Sequence, residues 1–266
     1  RGNVNIGKEY VAKLCLVPRD LTPTLILDSS SLQGLLAPNN AETKEIKFNV
    51  NEPSECRWDT TEMPFADMQN NADCSEFKQC TAQIPLTQDE NQICIKCLDH
   101  PEWKGTDKEG ERNENSQCIK ADVKKTDALN ITSISPDNET ITRGVGDTAI
   151  NVQVETSGGL DGTADCTWNL DGSGEILFQE TGAVTTHKQT LGVGTSRLDA
   201  GNHNLKVKCT DKAGNIAIKE ANFILNIDST APKLTRVYAD SGTLYIITDE
   251  PSNCAFVNTK PANYGV

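Results

Sequence analysis

Apolar and polar residues alternate one by one along several stretches of this chain, which predicts half-buried β-strands rather than helices. Turn-forming runs such as Asp171-Gly172-Ser173-Gly174 separate these stretches. The clearest alternating apolar positions are Ile46, Phe48, Val50, Ile150, Val152, Val154, Leu205, Val207 and Cys209. The pattern predicts an all-β fold made of sandwiches, in which each strand turns one face to a core.

A cysteine is followed two residues later by an aromatic residue at three places along the chain. Alternate residues of a strand share a face, so each pair is expected to point a sulfur and a ring into one core. The three triplets are Cys56-Arg57-Trp58, Cys166-Thr167-Trp168 and Cys254-Ala255-Phe256. Residues 51–56 return in similar form at 249–254, an offset of 254 − 56 = 198 positions. The chain is therefore expected to contain repeated modules, with the last one stopping after its first half.

The repeats divide the chain into four segments. Residues 24–126 and 127–228 are expected to form two complete domains, and 229–266 the first half of a third. Residues 1–23 contain an apolar stretch at 10–17, which is expected to be a donor strand or the end of a preceding domain.

Composition narrows the functional classes. The net charge is −13 and the pI is about 4.7, which argues against a nucleic-acid backbone or an anionic membrane as partner. Ten cysteines stand beside only three histidines, a ratio that favours disulfides in an oxidising, extracellular setting over mixed zinc sites. No apolar run approaches the length of a membrane span.

Spacing predicts the disulfides. Cys166 and Cys209 lie on the apolar faces of their strands, so their bond is expected to cross the core between two sheets. Cys56 and Cys97 repeat this arrangement, with intervals of 41 and 43 residues. A local Cys74–Cys80 bond is expected to close a polar surface loop, and an outward-facing Cys94 is expected to bond Cys118 in the next strand. The alternative, a metal or redox role for Cys94 with Cys97, is disfavoured because these positions face opposite ways on a strand.

Two motifs carry a resemblance to a known family. Asp211-Lys212-Ala213-Gly214-Asn215 and Asp228-Ser229-Thr230-Ala231-Pro232 resemble the tandem immunoglobulin-like modules of prokaryotic cell-surface proteins. The segments 51–58 and 97–103 resemble a cysteine-rich variant associated mainly with archaea. The resemblance implies tandem immunoglobulin-like β-sandwiches with cross-core disulfides, in proteins that serve as stalks, adhesins or fibre subunits.

Catalytic chemistry has no support in the sequence, and we expect no enzyme activity. His100, His187 and His203 are far apart and are expected to be surface or loop residues. Asp211, Asp228 and Asp249 lie near predicted domain ends and are weak candidates for calcium ligands, but their spacing matches no dedicated loop. Asn130 and Asn138 begin two N-glycosylation sequons.

These pairings leave Cys15 and Cys254 without an assigned disulfide partner. The sequence predicts a filament subunit in which residues 10–17 of one copy complete the half-domain 229–266 of the next, with an inter-subunit Cys15–Cys254 bond. Alternatively, both cysteines pair with cysteines outside this sequence. A second functional alternative is an adhesin or stalk that binds a glycan or protein on a host or neighbouring cell through its long loops, 63–80 and 100–118.

Overall fold

The computed structural model describes residues 21–75, 78–115, 117–145, 148–193, 197–250 and 252–255. Its helices are short 3-10 turns at Ser29–Leu32, Phe65–Asp67, Pro101–Trp103 and Glu109–Glu111. In the described part of the chain, none of the helices has the length and apolar content that crossing a membrane requires. The chain forms two compact units, and short segments at Gly158–Gly162 and Thr210–Ile216 belong to the first. The domain limits derived from the sequence stay predictions.

The first unit is a sandwich of two sheets. One sheet has the strand order β1-β3-β7-β6 and the other β2-β9-β8-β4-β5. Antiparallel pairing predominates, and β2 joins β9 in parallel. The strands are β1 (Ile26–Leu27), β2 (Leu35–Ala37), β3 (Thr43–Val50), β4 (Ser54–Asp59), β5 (Asn70–Asn71), β6 (Asp73–Ser75), β7 (Gln79–Pro85), β8 (Glu90–Asp99) and β9 (Ile119–Lys125).

The core of the first unit follows from the alternation in its strands. Ile46, Phe48 and Val50 of β3 are buried while their neighbours in the strand are more exposed. Trp58 of β4 and Ile95 of β8 belong to the same buried cluster. The two sheets therefore bury their apolar faces against each other, as a sandwich requires.

The second unit contains a second sandwich and a separate hairpin. The sandwich sheets have the orders β10-β12-β15 and β11-β17-β16-β13-β14, and β18 pairs with β19 in a two-stranded sheet. The fold is thus all-β, with immunoglobulin-like sandwiches. The strands are β10 (Leu129–Ser135), β11 (Glu139–Gly144), β12 (Ile150–Gly158), β13 (Asp165–Leu170), β14 (Ile176–Leu177), β15 (Thr186–Leu191), β16 (Gly201–Thr210), β17 (Ile216–Asp228), β18 (Leu234–Asp240) and β19 (Thr243–Thr248).

The position of the two long-range disulfides corrects the prediction that they cross between sheets. Cys56 and Cys97 bond to each other and lie directly opposite on the neighbouring strands β4 and β8. Cys166 and Cys209 also bond, and their strands β13 and β16 are neighbours in one sheet. All four cysteines face the core, but each bond joins adjacent strands within a sheet. The sequence pattern identifies the buried face of a strand, and it does not identify the strand's neighbour.

Candidate functional site

Two disulfides meet in the core of the first unit. Cys74 bonds Cys80 across the strands β6 and β7, and the Cys80 sulfur lies 3.8 Å from the sulfur of Cys56, which bonds Cys97. Cys74 and Cys80 bond as predicted and the described residues between them are exposed, but Cys80 itself is fully buried and lies in the core rather than at the surface. Cys80 lies on the same face of β7 as the buried residues Ala82 and Ile84, which explains its position. The two bonds therefore bring opposing sheets into sulfur contact.

The third disulfide of the first unit joins Cys94 to Cys118. Cys94 is buried, although its position in β8 predicts an outward-facing residue. The loop after β8 lies along this strand: Leu98 bridges Glu114, and the Asn115 side chain accepts a hydrogen bond from the backbone of Cys97. These contacts attach the loop to the edge of β8 opposite β4.

An ion cluster also holds the loop 100–118 to the first sandwich. The Glu55 carboxylate contacts Arg57 at 3.2 Å, Lys104 at 3.1 Å and Arg112 at 3.3 Å. Burial opposes ionisation of Glu55, but hydrogen bonds and charge attraction from these cations outweigh it and lower its pKa. Lys104 and Arg112 therefore attach this part of the loop to β4.

Trp103 is the tryptophan of this long loop, where the adhesin alternative would need an open aromatic surface. Its ring stacks on the His100 ring with centroids 3.7 Å apart, and the Lys108 ammonium lies 5.5 Å from its centroid. These contacts pair the half-buried Trp103 with residues of its own loop, which it therefore stabilises.

The histidines of the second unit are buried, contrary to the prediction of surface or loop positions. His187 is fully buried; its two nitrogens contact the Thr156 and Thr181 hydroxyls at 3.1 and 3.0 Å. Burial lowers the pKa of His187. His203 contacts the Asp171 carboxylate at 2.7 Å.

Groups of three metal-ligating side chains occur at two places in the described residues. They are Cys56 with Cys74 and Cys80, and Cys166 with His187 and Cys209. Each of these cysteines is part of a disulfide. A disulfide sulfur lacks the thiolate charge that binds a metal, so both groups are better explained as core packing around disulfides.

Each of the three weak calcium candidates accepts backbone N–H groups. Asp211 is buried in the first unit, where its carboxylate accepts the backbone N–H groups of Leu160 at 3.0 Å and Asn215 at 2.8 Å. Asp228 accepts the Thr230 N–H at 2.8 Å, and Asp249 accepts the Lys233 N–H at 2.8 Å. Each carboxylate caps backbone N–H groups of its own unit, which is the role of a turn aspartate.

The motif around Asp211 has a definite place in the first unit. Asn215 donates from its amide to Thr126 at 2.6 Å and to Asp211 at 2.8 Å, and its amide oxygen accepts the Asn39 N–H at 2.9 Å. Gly159 has φ = 54°, and a Cβ there would collide with the Asp211 carboxylate. The segments Gly158–Gly162 and Thr210–Ile216 are therefore built into this unit by buried hydrogen bonds.

Both sequon asparagines are exposed. Asn130 lies in β10, and Asn138 lies in the turn between β10 and β11 with φ = 54°. Their side-chain amides make short-range hydrogen bonds to Ala128 and Asp137 respectively. Neither contact buries the amide, so both sites stay candidates for glycosylation.

The β18–β19 hairpin has two different faces. Val237 pairs with Ile246 and Ala239 with Leu244, which gives one aliphatic face. Tyr238 and Tyr245 stack on the other face with ring centroids 4.9 Å apart, and the Arg236 guanidinium lies 4.5 Å from the Tyr238 centroid. The aliphatic face is open: Val237 is 54% and Leu244 50% exposed.

The internal repeat identifies the role of the aliphatic face. Leu244 and Ile246 lie 198 positions after Ile46 and Phe48, which are buried in β3. The aliphatic face of the hairpin therefore corresponds to a core face in the first sandwich. Cys254, which corresponds to Cys56, is an exposed free cysteine. Cys15, the stretch 10–17 and Phe256 lie outside the described residues.

Comparisons with known proteins concern the fold. No protein-family model matches the chain, and no curated protein matches it. An endo-β-1,4-mannanase from Thermotoga petrophila is 13% identical with a TM-score of 0.28, covering 38% of this chain, which spans only 20% of the mannanase. Titin domains I67–I69 are 12% identical with a TM-score of 0.37, covering 82% of this chain and 69% of theirs. A bacterial ice-binding adhesin is 13% identical with a TM-score of 0.33, covering 81% and 68%.

Proposed function

We propose that this chain is an extracellular structural protein, a subunit of a surface filament that assembles head to tail by β-strand complementation. The observation that carries the proposal is the exposed aliphatic face of β18–β19. The corresponding residues of the first sandwich are buried, so this face has the composition of a core without, in the described residues, the second sheet that would cover it.

The proposed occupant is the stretch 10–17 of a second copy. It is an apolar segment that contains Cys15. In the first sandwich, Cys56 lies directly opposite Cys97 on neighbouring strands. A donor strand beside the Cys254 segment would bring Cys15 opposite Cys254 in the same manner, and a disulfide between them would lock the joint. Because the donor and acceptor are different surfaces, the contact repeats from copy to copy and builds a fibre.

The disulfides are consistent with a load-bearing extracellular role. Three bonds connect adjacent strands, and the fourth joins β8 to Cys118, which directly precedes the neighbouring strand β9. Such bonds limit the conformational freedom gained when the sandwich opens, and they persist in an oxidising compartment. The acidic surface charge suits a soluble subunit before assembly.

Substitutions on the two faces of β19 test the proposal. Leu244→Glu places a charge on the aliphatic face, where burial in an assembled core would be strongly unfavourable. Ile247→Glu makes the same type of change on the opposite face, at a residue that is 44% exposed. We expect fibres of the wild type and of Ile247→Glu in electron micrographs, and a monomer of Leu244→Glu in sedimentation velocity. A wild type that stays monomeric at about 100 μM, or equal assembly of both variants, would contradict the proposal.

A further inference from the structure

We propose that the two disulfides that meet in the core of the first unit form a redox switch. When the bond between β6 and β7 is reduced, the Cys80 thiolate attacks Cys56 and displaces Cys97. The sulfurs of Cys80 and Cys56 lie 3.8 Å apart, and the Cys74 sulfur is within 4.8 Å of both. A thiolate on Cys80 therefore starts next to the sulfur with which it exchanges.

Reduction can begin at Cys74. This residue is half-buried and lies in β6, the edge strand of its sheet. The other three cysteines of the group are buried: Cys56, Cys80 and Cys97. Because access decides which sulfur of a disulfide is attacked, a reductant in solution bonds to Cys74 and releases Cys80 as the leaving thiolate. The thiolate is thus formed inside the core, beside the second disulfide.

A dithiol reductant supplies the electrons for this reaction. One of its sulfurs bonds to Cys74 while Cys80 leaves; its second sulfur then closes the reductant's own disulfide, and Cys74 leaves as a thiol. The Cys80 thiolate bonds to Cys56 as the Cys56–Cys97 bond breaks, and Cys97 takes up a proton. The reductant loses two electrons and two protons, which the protein holds as thiols at Cys74 and Cys97.

The exchange moves the remaining bond from within a sheet to between the sheets. Cys56 and Cys97 lie opposite each other on β4 and β8 of one sheet, whereas Cys80 lies on β7 of the other sheet. A Cys56–Cys80 bond therefore crosses the core, as the inter-sheet disulfide of antibody domains does. A sandwich that has lost its edge disulfide to a reductant keeps its two sheets joined covalently.

The second sandwich contains the same core disulfide without an attacking thiol. His187 faces Cys166 and Cys209 there, and the ligand atoms of the three side chains lie within 4.8 Å of one another. β15, which carries His187, pairs with β12 as β7 pairs with β3. An imidazole cannot replace a sulfur in a disulfide, so the Cys166–Cys209 bond is an internal control in every experiment.

Partial reduction of the folded wild type tests the switch. The protein is treated with increasing dithiothreitol, quenched with acid, alkylated in acidic denaturant where thiolates are too scarce to exchange, and digested with trypsin. Native pairing joins peptide 48–57 to 97–104, whereas exchange joins 48–57 to 79–96. Among chains with an alkylated Cys74, we expect mainly the 48–57 to 79–96 pair, an alkylated Cys97 and an intact Cys166–Cys209 bond.

Cys74→Ser tests the attack without a reductant, because it leaves Cys80 as a thiol beside Cys56–Cys97. We expect the 48–57 to 79–96 pair in at least about a tenth of the folded chains after about one day at about pH 8. Adding Cys97→Ser should give this pair in nearly every oxidised chain. In the control, with Cys74 and Cys80 both replaced by serine, 48–57 should stay bonded to 97–104.

Two results would overturn the proposal. One is a Cys74→Ser protein in which 48–57 is bonded to 97–104 alone. The other is a wild type that, once Cys74–Cys80 is reduced, carries alkyl groups on Cys74 and Cys80 and keeps the Cys56–Cys97 bond. The second experiment uses the unaltered chain, so the proposal stays testable if the variant folds poorly.

Discussion

The buried carboxylate of Asp211 offers a quantitative test of how the first unit is held together. Three N–H donors converge on it: the Asn215 backbone and amide at 2.8 Å each, and the Leu160 backbone at 3.0 Å. Asp211→Ala leaves these donors without their acceptor. Each buried donor without a partner costs about 1–3 kcal/mol, and partial access of water to the cavity reduces the sum. We therefore expect a loss of about 3–5 kcal/mol in the free energy of unfolding.

Urea denaturation and calorimetry measure this loss. For a domain of this size it corresponds to a melting temperature lower by about 10–20 °C. Asp249→Ala is the matched control, because Asp249 also caps a backbone N–H, that of Lys233 at 2.8 Å, but is exposed. It should change stability by less than about 1 kcal/mol. If Asp211→Ala unfolds within about 0.5 kcal/mol of the wild type, the carboxylate does not hold these segments.

The same residue predicts a pH dependence. Burial opposes ionisation of Asp211, but the hydrogen bonds from Asn215 and Leu160 outweigh it, so its pKa is lowered. A lowered pKa in the folded state stabilises the fold above the pKa of the unfolded chain, and the effect is lost as pH falls through the folded value. The stability difference between wild type and Asp211→Ala should accordingly shrink as the solution is acidified below pH 4. A difference that is constant down to strongly acidic pH would contradict this assignment.

Three further predictions concern other parts of the first unit. Gly159→Ala should lower stability by about 1–3 kcal/mol, since a Cβ there meets the Asp211 carboxylate; Gly110→Ala, where a Cβ meets nothing within 4 Å, is the thermal-denaturation control. Glu55→Gln should destabilise the chain by about 1 kcal/mol at neutral pH, and the difference in urea denaturation should vanish below the lowered pKa of Glu55. Replacing Cys74 and Cys80 together by serine opens a loop of only six residues, so it should cost about 2 kcal/mol in denaturant, against about 4 kcal/mol for the 41-residue interval of the other core disulfide.

Local pattern was enough to predict strands such as β3 and the buried positions of Cys56, Cys97, Cys166 and Cys209, but not those of Cys80 and Cys94. The alternation at Ile46, Phe48 and Val50 matches the burial in β3, because one face of a strand in a sandwich must be dry. The same pattern occurs in β7, where Cys80 shares the buried face with Ala82 and Ile84.

Features that depend on which strands become neighbours could not be predicted from pattern. The placement of Cys56 and Cys97 on adjacent strands depends on the strand order. Asn215 contacts Asn39 across 176 residues of sequence, so its motif indicated a family resemblance and gave no sign of its partners.

A disulfide map of isotope-mixed material tests the central claim most directly. Chains labelled with ¹⁴N and ¹⁵N are mixed as reduced monomers, assembled under oxidising conditions and digested with trypsin. Cleavage is expected to release Cys15 in residues 14–19 and Cys254 in residues 237–266. We predict that fibres yield these two peptides joined by a disulfide. Some of the pairs should have hybrid masses, with one ¹⁴N peptide and one ¹⁵N peptide, because each bond joins two different chains. If the oxidised chains stay monomeric with Cys254 as a free thiol, or if Cys254 is bonded to Cys15 in pure-isotope pairs alone, head-to-tail assembly is contradicted.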